Sequence, residues 1–488
     1  MRTGNEYRES LRDGRNVWVL GEGRVADVTT HPATAALVDA HAQWYDRHAD
    51  PAWADTLLST PDAEDDAGSW AFRTPRSADD LRRMGKSFAA TLFPAAGNIT
   101  HTPAYGNLIA LAIVELTRVV NLSPEQIANA SAYRDLLTRE GRFITFCGGG
   151  STIGYRLRED PEERPPLKLV KETDAGLVIS GRLGMFTSPA FADDVYIGQT
   201  AAMAYGDKRA SFVMPVNAPG VTIVSRKPAP RHENAFVSPM SHRYDELDGQ
   251  MWLDETFVPW ERVFLSDLPR GTTHPGAAWM GWHQLYCWLI KAEFTLGLAL
   301  ACVDAMGLKG SDTATERILD LLVDVQTVRS CVTAAELDPD VTPAGEYIPN
   351  MLHLSSGALS ILDSRQRMAE ILRGLPGSSA VQAPTDLDLV TPELSAGLEA
   401  TFGGGGYSAK QRSALLQLAW EHVSSGLDGR ESSFELLATG GKPTWRRQLR
   451  IHFEDYNQLA NGVLATLGLE MPQVDLSHLK SRAPQPRP

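Results

Sequence analysis

Three glycine-rich strings are where this sequence first offers ligand chemistry: CGGGSTIG from Cys147 to Gly154, TFGGGGY around Gly403 to Gly406, and Gly440-Gly441-Lys442. Backbone N–H groups in such strings can cradle a phosphate. The first string lacks the Lys-Ser/Thr of a P-loop, and its glycines miss the G-x-G-x-x-G spacing of a dinucleotide fingerprint. It reads instead as a flexible turn or as a wall of another site. The second reads as a loop needing unusual φ, the third as a loop with a solvated lysine. The twelve histidines form no H-x-x-x-H or H-E-x-x-H pair, which argues against a metal site, and no G-x-S-x-G elbow presents a nucleophilic serine. Cys147, Cys287, Cys302 and Cys331 form no C-x-x-C pair and read as reduced thiols. A formal net charge of -14 gives no electrostatic reason to bind a polyanion.

The elements that must position any site fall into three textures. The 488 residues, 43% hydrophobic, are enough for about three domains at roughly 150 residues each. Residues 1–142 read as mainly helical: NLIALAIVELTRVVN from Asn107 is apolar almost all round, as in a buried helix, and Ser123-Pro124 caps and starts the next one. Residues 143–270 carry short β-branched runs separated by Gly, Pro and Asp, which predicts an antiparallel barrel or sandwich, with a turn at Asn217-Ala218-Pro219-Gly220. Residues 271–470 return to long helices, a bundle, and 471–488 form a Pro-rich tail. The N-terminus has no apolar signal core and no run of about 18 apolar residues occurs, so no membrane span and a cytoplasmic location are expected.

Longer strings carry a family resemblance. SLRDGRNVWVLGEGRVADVTTHPA (Ser10 to Ala33), KETDAGLVISG (Lys171 to Gly181), ASFVMPVNAPGVTIVSR (Ala210 to Arg226) and SHRYDELDGQMWLDETFVPWERVF (Ser241 to Phe264) resemble the 4-hydroxyphenylacetate 3-monooxygenase oxygenase components, with a weaker echo in LAWEHVSSGLDGRESSFE (Leu418 to Glu435). The resemblance implies an α+β, acyl-CoA dehydrogenase-like fold: helical N-terminal domain, β-barrel, C-terminal helical bundle. It implies a homotetramer that takes reduced FAD from a separate NAD(P)H-dependent flavin reductase, which agrees with the missing nicotinamide fingerprint. The implied chemistry is addition of O2 to reduced flavin as a C4a-hydroperoxide, then oxygen transfer to an electron-rich aromatic carbon.

The resemblance also assigns residues. Family members surround the substrate phenol with an Arg-x-x-x-Tyr pair and a later His. Here the pair reads HTPAY, so His101 stands in the Arg position and Tyr105 matches the Tyr, while the later His falls on Phe146. His101 is expected as base or hydrogen-bond donor with Tyr105 as partner, and Phe146, Cys147 and Gly148 as substrate walls. Ser151, Thr152, Thr187 and Ser188 fall where the family contacts the flavin, and Gly429-Arg430 where an Arg would suit the FAD pyrophosphate. Trp260, Asp245 and Glu246 read as structural, the acids as turn caps.

A departure of this kind leaves other readings open: flavin-dependent oxygenation at nitrogen or at a non-phenolic ring, or a catalytically silent homologue. The iron–sulfur branch of the same fold would need three cysteines and a histidine, with a C-x-x-x-C pair in the N-terminal helices. Cys147 is the only cysteine before residue 280.

Overall fold

The structure, a computed structural model, describes residues 1–60, 68–120, 122–147, 157–160, 163, 166–198, 201–229, 234–267, 274–437 and 440–479. Its N-terminal part packs the helices Gly4–Ser10, Ala35–Asp46, Ala78–Leu92, Pro103–Val119 and Pro124–Glu140. The Pro103–Val119 helix is buried on every face from Pro103 to Thr117, as its unbroken apolar run requires. Ser123 accepts a hydrogen bond from the Gln126 N–H ahead of Pro124, the cap expected there.

Two sheets follow. One has six strands in the order β2 (Gly23–Val25), β1 (Val17–Val19), β9 (Val221–Ser225), β10 (Asp248–Pro259), β5 (Gly176–Thr187) and β4 (Leu167–Thr173). The other runs β11 (Val263–Ser266), β8 (Lys208–Pro215), β6 (Asp194–Ile197) and β3 (Ile144–Cys147), with β7 (Met203–Tyr205) also on β8. The sheets are mixed rather than purely antiparallel: β1 runs parallel to β9 and β3 parallel to β6. The N-terminal segment is also not wholly helical. Val17 and Val19 point inward with Trp18 outward, a strand pattern that completes the barrel sheet some 200 residues before its partner Ile223–Ser225.

The C-terminal part is a bundle of Ala277–Ala305, Asp312–Leu337, Met351–Gly374, Ala409–Ser424, Gly426–Leu437 and Gly441–His452, with shorter helices between. Ala277–Ala305 is long and apolar enough to cross a bilayer, but Ala278 to Ile290 is buried without a break. This helix touches both the bundle and the N-terminal helices Ala78–Leu92 and Pro103–Val119, so it joins the two helical parts. Gly404, Gly405 and Gly406 all take positive φ in the loop before Ala409–Ser424. Lys442 is not a free loop lysine; it pairs with Asp363.

Two glycines set the approach to the region before Pro103. Gly106 lies on β3: a Cβ there would meet Ile144 Cγ2 at 3.0 Å and its N at 3.2 Å. Gly97 has φ +71°, and a Cβ would come 2.3 Å from the Cys287 carbonyl oxygen of the long helix. Replacing Gly97 with Ala adds left-handed strain and a backbone collision. Urea unfolding of Gly97→Ala is expected to show a loss of about 2–3 kcal/mol, and a midpoint equal to wild type would refute this account of the turn.

Candidate active site

The HTPAY segment enters its helix through a cap. Thr102 is the N-cap, its hydroxyl accepting from the Tyr105 N–H, and Pro103 takes the first turn, where its missing N–H costs nothing. His101 therefore sits just ahead of the extended N-cap residue and Tyr105 in the first turn of the helix. Their rings meet edge to face, centroids 4.5 Å apart. On its other side Tyr105 meets His283 of the long helix at 5.2 Å. His283 Nε2 lies 3.5 Å from the Thr102 hydroxyl and its Nδ1 3.6 Å from Cys287 Sγ.

Behind His101 stands Glu246. Its carboxylate accepts from the Thr100 N–H (3.1 Å to each oxygen), the His101 N–H (2.8 Å), the Thr100 hydroxyl (2.7 Å) and the Ser188 hydroxyl (3.3 Å). Glu246 thus is no turn cap. It ties the loop before Pro103 to the end of β5 and the start of β10. Ser188 holds φ +55° to place its hydroxyl there. The Thr145 hydroxyl of β3 donates to the Thr187 carbonyl beside it.

Burial sets the charge states. It pushes His101 and His283 down to about 3, so both imidazoles are neutral near pH 7. It raises the Tyr105 phenol and the Cys287 thiol. Glu246 is pushed up to about 7 by burial, with Arg430 opposing and Asp248 adding to the rise. Thr100 accounts for His101 Nδ1 at 3.0 Å. His101 Nε2, the Tyr105 hydroxyl and the Thr187 hydroxyl have no hydrogen-bond partner among the described residues.

The sequence candidates divide accordingly. His101, Tyr105, Thr187 and Ser188 come together around Glu246. Strand alternation separates Phe146 from Cys147. Phe146 is half-buried and stacks on Tyr196 at 5.8 Å, whereas Cys147 turns into the barrel with Sγ 3.8 Å from the Gly184 carbonyl oxygen, a core position rather than a substrate wall. Arg430 is part-buried and ion-paired to Asp248 and Glu431. The adjoining carboxylates are matched by Lys291, which reaches Glu431 at 3.1 Å and Glu435 at 2.6 Å, and by Arg365 on Glu435. Gly429 is exposed, and a Cβ there would meet nothing within 4 Å. Gly148, Ser151 and Thr152 lie outside the described residues. Thr100, Glu246 and His283 were missed as site residues.

Three unpartnered, uncharged polar tips suit the hydrogen-bonding edges of uncharged rings, such as a flavin or an aromatic ligand, better than a phosphate. The pyrophosphate end finds Arg430 already committed to carboxylates.

Known proteins resemble this chain over nearly its whole length. A family model described as 4-hydroxyphenylacetate 3-hydroxylase N terminal matches residues 3–265, and one described as 4-hydroxyphenylacetate 3-hydroxylase C terminal matches 273–465. The 4-nitrophenol 4-monooxygenase/4-nitrocatechol 2-monooxygenase oxygenase component of Rhodococcus opacus is 28% identical, over 89% of this chain and 85% of that one. A Streptomyces globisporus monooxygenase of (3S)-3-amino-3-(3-chloro-4-hydroxyphenyl)propanoyl-[peptidyl-carrier protein] is 28% identical over 95% of this chain and 88% of that one. The crystal structure of the oxygenase component of 4-hydroxyphenylacetate 3-monooxygenase complexed with FAD superposes with a TM-score of 0.85, at 25% identity, covering 96% of this chain and 98% of that one.

The buried titratable groups predict how the fold responds to acid. His41, His48, His101, His274, His283 and His422 are held at about 3 or 4, below the ordinary 6.5, so the stability they lend is present above pH 6.5 and lost as pH falls toward those values. Glu115, Glu246 and Glu336 are raised to about 7 and act in the opposite sense, relieving a cost as pH falls from 7 to 4.5. Six histidines outweigh three carboxyls, so the urea midpoint at pH about 5 is expected to lie below that at pH about 7.5. A higher midpoint in acid would show that the carboxyls dominate.

Proposed function

This chain belongs to the 4-hydroxyphenylacetate 3-hydroxylase family, is an FAD-dependent monooxygenase with the acyl-CoA dehydrogenase-like fold, and on that premise we propose that it hydroxylates a phenol-like ring. It is the oxygenase component of a two-component system, whose reduced FAD comes from a separate flavin reductase; diffusion of the reduced flavin from an NAD(P)H-dependent partner is part of the proposal. Reduced FAD, when bound, would supply activated dioxygen, in this reading as a C4a-hydroperoxide, for transfer to the aromatic acceptor.

The observation that carries the reading is the His101–Tyr105 pair, with both polar tips unpartnered, at the capped start of a fully buried helix. In this reading Tyr105 donates to the acceptor hydroxyl and His101 Nε2 accepts from it. Phe146 shapes the far wall. The Thr187 hydroxyl holds the flavin edge, and Ser188 holds Glu246. The surrounding apolar packing excludes water, so the activated oxygen is spent on the acceptor. A neutral histidine in place of a permanent cation supports binding of the phenol in its neutral form, and this also favours, as the second reading, oxygenation at nitrogen or on a non-phenolic ring. The acceptor is a small molecule or, as in the Streptomyces relative, one tethered to a carrier protein.

We also propose a homotetramer; apolar side chains left exposed on the bundle, Leu319 and Val323 of Asp312–Leu337 and Leu387, Val390 and Leu394 of Asp386–Val390 and Pro392–Phe402, support burial against other subunits. We place the enzyme in the cytoplasm, where a nicotinamide-dependent reductase would supply it.

Two measurements test the function. The purified chain is loaded anaerobically with photoreduced FAD and mixed with O2; a long-lived flavin–oxygen absorbance is expected, and immediate return to oxidised FAD would favour a silent homologue. A panel of phenols, amines and carrier-bound aromatic amino acids is then offered. Tyr105→Phe and His101→Ala are expected to lower kcat/KM on the best phenol by about 10- to 100-fold, and oxidation of amines alone would sink the phenol reading.

A further inference from the structure

We propose that Thr100 and Glu246 form a proton path behind His101, which fixes the imidazole as a base and carries the acceptor's hydroxyl proton to a buried carboxylate. This rests on the reading that His101 faces a hydroxyl-bearing acceptor.

The path follows from counting hydrogens. Thr100 has one hydroxyl hydrogen and two neighbours: Glu246 Oε2 at 2.7 Å and His101 Nδ1 at 3.0 Å. An ionised Glu246 can only accept, so the Thr100 hydroxyl donates to it. Thr100 must then accept from His101, which places the ring hydrogen on Nδ1 and leaves a bare lone pair on Nε2. If Glu246 is protonated, the order reverses: its O–H donates to Thr100, Thr100 donates to Nδ1, and Nε2 becomes the N–H side. The carboxylate two bonds away thus decides whether Nε2 accepts or donates. The two backbone N–H groups of Thr100 and His101 and the Ser188 hydroxyl remain as donors that favour the accepting state.

The transfer balances. The acceptor's O–H bond breaks as Nε2–H forms; Nδ1–H breaks as a new Thr100 O–H forms; the original Thr100 O–H breaks as Glu246 O–H forms. A neutral acceptor and a carboxylate become a phenolate and a carboxylic acid, with no change in total charge. The phenolate is the ring form that activates its ortho carbon.

Other charges bear on the two ends. Glu246 is faced by Arg430 from the Gly426–Leu437 helix and by Asp248 of β10, and its field reaches Tyr105 and Cys287. Arg226 donates to its backbone carbonyl and pairs with Asp245. His101 is faced by His283, Arg430 and His41. Glu246 alone of these groups is joined to the His101 ring through a single hydroxyl. Its upward shift to about 7 leaves it able to exchange a proton near neutrality. Thr100 and Glu246 act through His101 and are positioning residues.

The test uses the full chain with reduced FAD and the panel phenol that wild type oxidises fastest, comparing wild type, Thr100→Ser and Thr100→Val across pH. The relay requires ionised Glu246, so wild-type kcat is expected to fall as pH drops through neutrality. Thr100→Val should lower kcat about tenfold or more with KM nearly unchanged and flatten that acid limb, while Thr100→Ser should stay within about threefold of wild type. The valine deficit should shrink for polyfluorinated phenols acidic enough to arrive already ionised. Valine and serine variants that behave alike, or a deficit that is the same for acidic and weakly acidic phenols, overturns the proposal. If the valine variant does not fold, wild type decides: the acid limb must keep its position across phenols of different acidity, and a limb that tracks the phenol, or none, is fatal. Oxidation of no phenol at all sinks the proposed function and this path together, whereas phenol oxidation indifferent to Thr100 sinks the path alone.

Discussion

One buried carboxylate holds three parts of this molecule in register. Glu246 has no exposed surface, and an isolated charge there would be prohibitively costly without compensating donors. The donors come from far apart in sequence: Thr100 and His101 from the N-terminal part, Ser188 from the end of β5. Each satisfies its own polar group by satisfying the same acceptor. The loop before Pro103 cannot shift without stripping the carboxylate of several hydrogen bonds at once, and an unpaired buried charge is among the costliest defects a fold can carry. The position of His101 is therefore set by electrostatics as much as by packing.

From this carboxylate a layer of paired charges runs toward the bundle. Arg226 meets Asp245 and Asp248, Asp248 meets Arg430, Arg430 meets Glu431, Glu431 meets Lys291, and Glu435 joins Lys291 to Arg365. Such a layer contributes little net stability compared with apolar packing, but it strongly disfavours other alignments of barrel and helices, because a slip would leave several charges buried and single. The apolar work is done by the Ala277–Ala305 helix, whose Trp279 and Trp282 are fully buried. Packing supplies the cohesion between the parts, and the ionic layer fixes their alignment.

The long helices and the barrel were legible in the sequence because their signals are local: apolar periodicity, a Ser-Pro cap, β-branched runs between turn residues. The strands Val17–Val19 and Gly23–Val25 were not, because three-residue runs carry little periodicity and the parallel partner of the first lies some 200 residues downstream. The family likeness brought His101, Tyr105, Thr187 and Ser188 to one place. It did not reveal Glu246, which in RYDELD looks like any acid near a turn; its partners lie 145 and 146 residues away. His283 was hidden by the opposite effect, as a lone imidazole within a helix of tryptophans and leucines. The Phe146–Cys147 split needed only the two-residue period of a strand, and taking both as pocket walls overlooked it.

The cysteines carry a last consequence. Cys147, Cys287 and Cys302 are buried and form no disulfide among the described residues, and the Cys287 and Cys302 thiols are shifted upward by burial. Thiolate rather than thiol is the form that oxidants attack. Reduced flavin that meets oxygen with no acceptor in place releases hydrogen peroxide, so an enzyme of this kind generates its own oxidant during futile cycles. Sealing these three thiols inside helices and barrel limits the damage that idle turnover can do to the catalyst.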